Sequence, residues 1–346
     1  RFATLELVRG EWRTYNYALN LKGDAPAQGK MDISVVNIEE NAGQVPVNYV
    51  LPPGVTRIID PGQSQITQLN EQAMSLKVTD LQSGDARAVY KNSGMDMRTY
   101  KRLQMFVHAE KLIDDKTNLR DGDVSVFLRL GSDSKSNYYE YEVPLSLTEP
   151  GNYSTYNAQD QEAVWPQSNM FDFPLSLFTD LKLERNAKKR MDNSTVTFQT
   201  RYSSYDPDKN QNKVTIVGNP SLSDVRTMMI GVRNNSNAAK DIVVWVNEMR
   251  LTDFDQSGGW AAKANVNLGL SDIATLNIAG HVETVGFGGI DQSLTERRLD
   301  DYYQYNIATM VELGRFLPEK VKLKAPLFYS ITEQRTSPKY NPLDQD

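Results

Sequence analysis

The chain of 346 residues has no cysteine and only two histidines, His108 and His281. The first absence excludes disulfide stapling and thiolate chemistry. The second, together with the lack of any HExxH or paired histidine, removes the usual nitrogen donors of a transition-metal centre. No apolar run approaches the roughly 18 residues of a transmembrane helix, although barrel strands need only about 9–11 residues of weak alternation. Basic charge is not in excess: 38 Lys and Arg face 44 Asp and Glu, a formal net charge of -6. Nucleic acid is therefore not an expected partner, and the trio Lys188-Lys189-Arg190 is too short to change that. No GxSxG or P-loop is present, and GFGG at 286–289 lacks both a lysine and a following helix.

What the chain does contain is β patterning, organised around Arg226 to Phe254. Ile242, Val244 and Val246 share one parity, while Val243, Trp245, Met249 and Leu251 share the other, predicting a strand buried on both sides. Leu103 to Ala109, Val124 to Leu130 and Tyr139 to Leu147 alternate in the same way. Their spacing favours an antiparallel sandwich of jelly-roll type over βαβ units. Residues 148–222 read as an elaboration across one sandwich edge, with Tyr153, Tyr156, Trp165, Phe171, Phe173 and Phe178 in no regular period. Leu69, Ala73 and Leu76 suit one helical face, although a short strand fits there too. Arg1 begins inside an apparent strand, FATLELV, without an initiator Met. The chain thus reads as an internal piece of a larger protein.

After Gly258-Gly259 the pattern simplifies. Trp260, Ala262, Ala264, Val266, Leu268 and Leu270 alternate with Lys263, Asn265 and Asn267. Beyond a Ser271-Asp272 turn, Leu276, Ile278, Gly280 and Val282 alternate with Thr275, Asn277, His281 and Glu283. Further candidates are Tyr305 to Leu313 and Val321 to Leu327, the latter followed by a loop. Two-faced strands of this length fit either an outer-membrane barrel or an ordinary amphipathic sheet.

Candidates for chemistry are few. Asp206, Asp208, Asn210 and Asn212 repeat the alternating oxygens of a calcium loop, but Gln211 and Val217 stand where that loop needs Gly and Glu. A solvated turn and a structural calcium site both remain open. Glu140 and Glu142 share a strand face, as the two carboxylates of a glycosidase must share a cleft, but any half-exposed strand gives that spacing. No catalytic residue and no cofactor is assigned.

Three strings, WVNEMRLTDFD at 245–255, GGWAAKANVNLGLSDIATLNIAGHVETVGFGGID at 258–291 and SPKYNPLDQD at 337–346, resemble the SprA/Sov family. These are giant outer-membrane proteins of the Bacteroidetes that serve type IX secretion and gliding motility. The resemblance implies a translocon through which folded cargo with a C-terminal secretion signal crosses the outer membrane. It also implies a smaller outer-membrane partner barrel, a periplasmic plug subunit and contact with membrane lipid. On that basis the expected fold is all-β: a jelly-roll-like antiparallel sandwich inserted in, and followed by strands of, a large outer-membrane β-barrel. The expected segments are β strands at 1–60, a soluble jelly-roll-like domain at 61–257, and barrel strands and loops at 258–346. Lys263, Asn265, Asn267, Thr275, Asn277, His281 and Glu283 would then face the lumen. The competing reading is a cell-surface jelly-roll module that binds carbohydrate or peptide.

Overall fold

The computed structural model describes residues 12–17, 19, 29–57, 70–293 and 296–340. The chain divides into two units, the first running to Phe254 and the second starting at Asp255. In the first unit one sheet has seven strands, in the order β1 (Arg13–Tyr15), β4 (Ala86–Met95), β11 (Val225–Asn234), β6 (Val124–Gly131), β7 (Tyr138–Pro144), β10 (Lys213–Val217) and β9 (Tyr202–Tyr205). The other has five: β2 (Lys30–Asn37), β3 (Gln72–Leu81), β12 (Lys240–Phe254), β5 (Tyr100–Glu110) and β8 (Phe171–Pro174). All these pairings are antiparallel. The result is a two-sheet, jelly-roll-like sandwich.

The core lies between the sheets. Leu103, Met105, Val107 and Ala109 of β5 meet Val124, Val126, Leu128 and Leu130 of β6, with Tyr139, Tyr141 and Val143 of β7 beside them. Strand β12 is buried twice over. Ile242, Val244 and Val246 enter this core, and Trp245 enters a second cluster on the outer face with Tyr49, Phe106 and Trp165. The parity expected for Met249 and Leu251 does not hold. The pairing of β12 with β5 slips between Asn247 and Arg250, and Glu248 takes a φ of 50°. One inserted residue reverses the alternation, so Met249 and Leu251 pack with Val246 against the inner core.

The 148–222 elaboration builds the sandwich side. Helix α1 (Ile38–Asn41) follows β2, α2 (Ala158–Val164) precedes β8, and α3 (Ser176–Lys189) lies between β8 and β9. Phe171, Phe173 and Phe178 enter the inner core and Trp165 the outer cluster, whereas Tyr156 is exposed. The helical reading near Leu76 is replaced by strand β3, which pairs with β2 and β12. Ala73 and Leu76 belong to opposite faces there, and two-sided burial produces the three-residue spacing that imitates a helix. Leu69 and the FATLELV strand lie outside the described residues.

The second unit is a four-stranded antiparallel meander: β13 (Ala261–Leu270), β14 (Ala274–Glu283), β15 (Asp300–Glu312) and β16 (Pro326–Pro338). Strand β16 takes in the YSITEQRTSP stretch expected to be loop. The barrel expectation fails here. The sheet is open, β13 and β16 each pair on one side only, and no sheet among the described residues closes on itself. A barrel needs its last strand to return to its first, and this meander has no such pairing. Among the described residues no helix is long and apolar enough to cross a membrane.

Gly231 of β11 lies opposite Phe127 of β6, and a Cβ there would stand 2.2 Å from the Phe127 ring carbon Cζ. Gly231→Ala is therefore expected to destabilise the sandwich by about 1–3 kcal/mol. Urea denaturation followed by tryptophan fluorescence measures this.

Candidate functional site

The densest cluster of charged side chains is on the outer face of the seven-stranded sheet. Antiparallel register sets Arg129 opposite Glu140 and Ser125 close to Glu142 on β6 and β7. Arg129 Nε donates to Glu140 Oε2 at 2.5 Å, and Arg201 Nη2 donates to Oε1 at 2.5 Å. Arg233 of β11 bridges both acids, donating to Glu140 at 3.1 Å and to Glu142. Ser125 Oγ donates to Glu142 Oε1 at 2.5 Å. The Phe127 ring lies under the Arg129 and Arg233 guanidiniums.

This arrangement decides the role of Glu140. Burial by itself would raise its pKa, but Arg129, Arg233 and Arg201 outweigh it and hold the carboxyl well below the usual carboxylate range. A glycosidase acid needs the opposite, a carboxyl kept protonated near neutral pH and open to a substrate. Glu140 is ionised and fully buried. The three arginines were not singled out from sequence; Arg129 shares the parity of Ser125 and Phe127, but the register that sets it opposite Glu140 comes from the structure.

The loop considered for calcium is committed elsewhere. The Tyr141 hydroxyl, buried in the core, donates to Asp206 Oδ2 at 2.6 Å and accepts from Asn212 Nδ2 at 2.9 Å. Asp206 Oδ1 accepts the Asp208 amide N–H at 2.9 Å. Asp206 and Asn212 are thus drawn inward to satisfy a tyrosine, while Asn210 is separate from that network. Among the described residues no three His, Asp or Glu side chains gather into a metal-holding group.

In the second unit the register gathers the predicted polar residues on one face. Lys263 is opposite His281, Asn267 opposite Asn277, and Ala261 opposite Glu283, while Asn265 opposite Ala279 and Thr275 opposite Gly269 lie on the same face. His281 Nε2 lies 3.0 Å from Glu283 Oε1, and Arg298 Nη1 lies 2.8 Å from Oε2. Arg298 also stands over the Tyr302 ring. The opposite face holds Val266, Leu268, Leu270, Ile278, Ile307, Leu327 and Ile331. Several of these are half-exposed, Val266 and Leu268 at 47% and Leu270 at 55%. Because the sheet is open, this polar face encloses no lumen among the described residues.

Glu140→Gln leaves three guanidiniums around a neutral group, and a loss of about 3–5 kcal/mol is expected at neutral pH. A depressed folded-state pKa contributes stability that is present above the unfolded carboxylate value of about 4.3 and disappears as pH falls through the folded value. The stability gap between native chain and variant should therefore narrow progressively below about pH 4. Equilibrium denaturation across pH checks both the size and the sign. Tyr141→Phe, which strands buried Asp206 and Asn212, should cost about 1–3 kcal/mol in the same assay.

Comparison with known proteins adds three findings. No curated protein matches the chain. The family 11 carbohydrate-binding module from Clostridium thermocellum, in complex with a β-1,3-1,4-mixed-linked tetrasaccharide, is 10% identical, with a TM-score of 0.32 over 71% of this chain and 92% of that one. The family 11 module of the cellulosomal cellulase Lic26A-Cel5E of Clostridium thermocellum is likewise 10% identical, with a TM-score of 0.29 over 73% and 93%. Likenesses this distant carry no argument about a ligand. The model of the SprA_N family, described as motility related/secretion protein, matches residues 1–346. The chain therefore belongs to the SprA_N family, with a non-enzymatic role in secretion and motility machinery at the outer membrane and cell surface rather than that of a carbohydrate-binding module.

Proposed function

We propose that the chain is a structural part of the translocon that passes folded cargo proteins, marked by a C-terminal secretion signal, across the outer membrane. The observation that supports this is the segregation of the second unit's two faces. Its polar face, with Lys263, Asn265, Asn267, Thr275, Asn277, His281 and Glu283, lies along the aqueous path of the cargo. Amides, hydroxyls and charges there hydrogen-bond water and passing chains, while the large apolar side chains Met310 and Phe328 stand at one end of the face. The other face is apolar through Val266, Leu268, Leu270, Ile278, Ile307 and Ile331 and carries Glu333 and Arg335 beside Tyr305 and Tyr303; its apolar part meets membrane lipid. The unpaired edges of β13 and β16 offer backbone N–H and C=O groups, which suits strand addition by an outer-membrane partner. The sandwich supplies a rigid aqueous module, its outer faces sealed by buried aromatics and ion pairs, for contact with a periplasmic plug subunit or with cargo.

In cells making the full-length protein, Leu268→Asp with Ile278→Asp should abolish outer-membrane assembly and cargo secretion. Asn267→Asp on the polar face should leave both nearly intact. Membrane fractionation and secreted-cargo assays read the outcome, and normal assembly of the apolar-face variant would refute the lipid contact.

A further inference from the structure

The outer face of the five-stranded sheet holds a buried pair that neither the family nor the proposed function uses. His108 and Glu110 lie two residues apart on β5, so their side chains leave the same face, and they are 0% and 1% exposed. His108 stacks on Trp245 of the neighbouring strand, ring centroids 4.0 Å apart. A cover formed by residues 148–165 closes over them. His108 Nδ1 lies 2.8 Å from the Val164 carbonyl oxygen and 3.2 Å from Thr148 Oγ1.

Donor and acceptor counting fixes what this requires. A carbonyl oxygen only accepts, so Nδ1 carries a hydrogen. In a neutral imidazole, Nε2 would then be a bare lone pair. It lies 3.8 Å from Glu110 Oε2, and an ionised carboxylate also only accepts. Neither atom has a hydrogen-bond partner, and both are shielded from solvent. Two acceptors facing each other in a dry interior are mutually repulsive, and each is left without its hydrogen bond. A bridging water would hold the pair about 4.5 Å apart at ordinary hydrogen-bond lengths of about 2.8 Å. The gap is smaller than that. A proton satisfies both atoms with only a small side-chain shift.

Among the described residues the surroundings supply no other counter-charge. Lys77 of β3, in register with Val243 on the same face, is exposed. Glu71 is taken by the Tyr49 hydroxyl at 2.5 Å and by Asn247. On α2, Asp160 accepts the Ser154 amide and Glu162 is exposed.

We propose that His108 is an imidazolium whose Nε2–H donates to Glu110, and that this proton latches the 148–165 cover onto the sheet. The charged ring donates more strongly from Nδ1 to the Val164 carbonyl, tying the cover to β5. Loss of the proton leaves two acceptors opposed and weakens that tie, so the cover loosens as pH rises. The device is a pH-sensitive clasp between a sheet and its covering segment.

With only two histidines in the chain, ring nitrogens are directly assignable by long-range ¹H–¹⁵N spectra of histidine-labelled protein, using His281→Gln to identify the second set. The expected result is that both His108 nitrogens are protonated in the folded native chain at neutral pH. In Glu110→Gln the amide can donate to Nε2, so the ring should become neutral with its hydrogen on Nδ1. A bare Nε2 in the native chain would overturn the proposal, whether or not the variant folds. A second readout is exchange of the Trp165 indole N–H, which donates to the Val50 carbonyl at 2.9 Å. It should rise more steeply with pH in the native chain than in Glu110→Gln, and equal steepness would contradict a latch.

Discussion

The sandwich depends on one strand, β12, whose stretch from Ile242 to Asn247 has no open solvent face. In β12 the side chains of Ile242, Val244 and Val246 fill the space between the sheets, and Trp245 fills the space beneath the outer cover. Removing such apolar area from water on both sides of a single backbone is the largest favourable term available to a strand. It also obliges the chain to supply a layer on each side. The seven-stranded sheet is one layer. The 47–51 segment and the 148–165 excursion, through Tyr49, Val50, Val164 and Trp165, make the other.

That obligation explains where polar groups are buried. Once outer faces are covered, every charge on them needs a partner, because a buried unpaired charge is costly. Glu140 therefore gathers Arg129, Arg201 and Arg233, and Tyr141 gathers Asp206 and Asn212. Groups that resemble catalytic or metal-binding sets in a list of residues are here the internal bonds of a sealed module. The second unit obeys the contrary rule. With one sheet and no second layer of its own, it keeps an apolar face uncovered.

The inward residues of β5, β6 and β7 were readable from sequence because half-buried alternation writes itself in steps of two. The two faces of β13 and β14 were readable for the same reason. Other features depend on facts that alternation does not carry. The bulge at Glu248 is a matter of counting one residue against a partner strand, and it moved Met249 and Leu251 to the other face. The β3 strand looked helical because Ala73 and Leu76 are both buried, on opposite sides. Alternation also says nothing about how many neighbours a sheet has, so strands of a large barrel were expected where an open four-stranded meander stands. The environment of Glu140 required three arginines from separate segments to converge, and spacing along one strand could not reveal them.

The measurement that bears most directly on this account is amide hydrogen exchange resolved along the native chain. Amides of β12 from Ile242 to Val246 should be among the slowest, opening only with the whole sandwich. Those of β13, on an exposed edge with neither face covered, should exchange far faster. If β12 exchanged as readily as β13, two-sided burial could not be what holds the sandwich together.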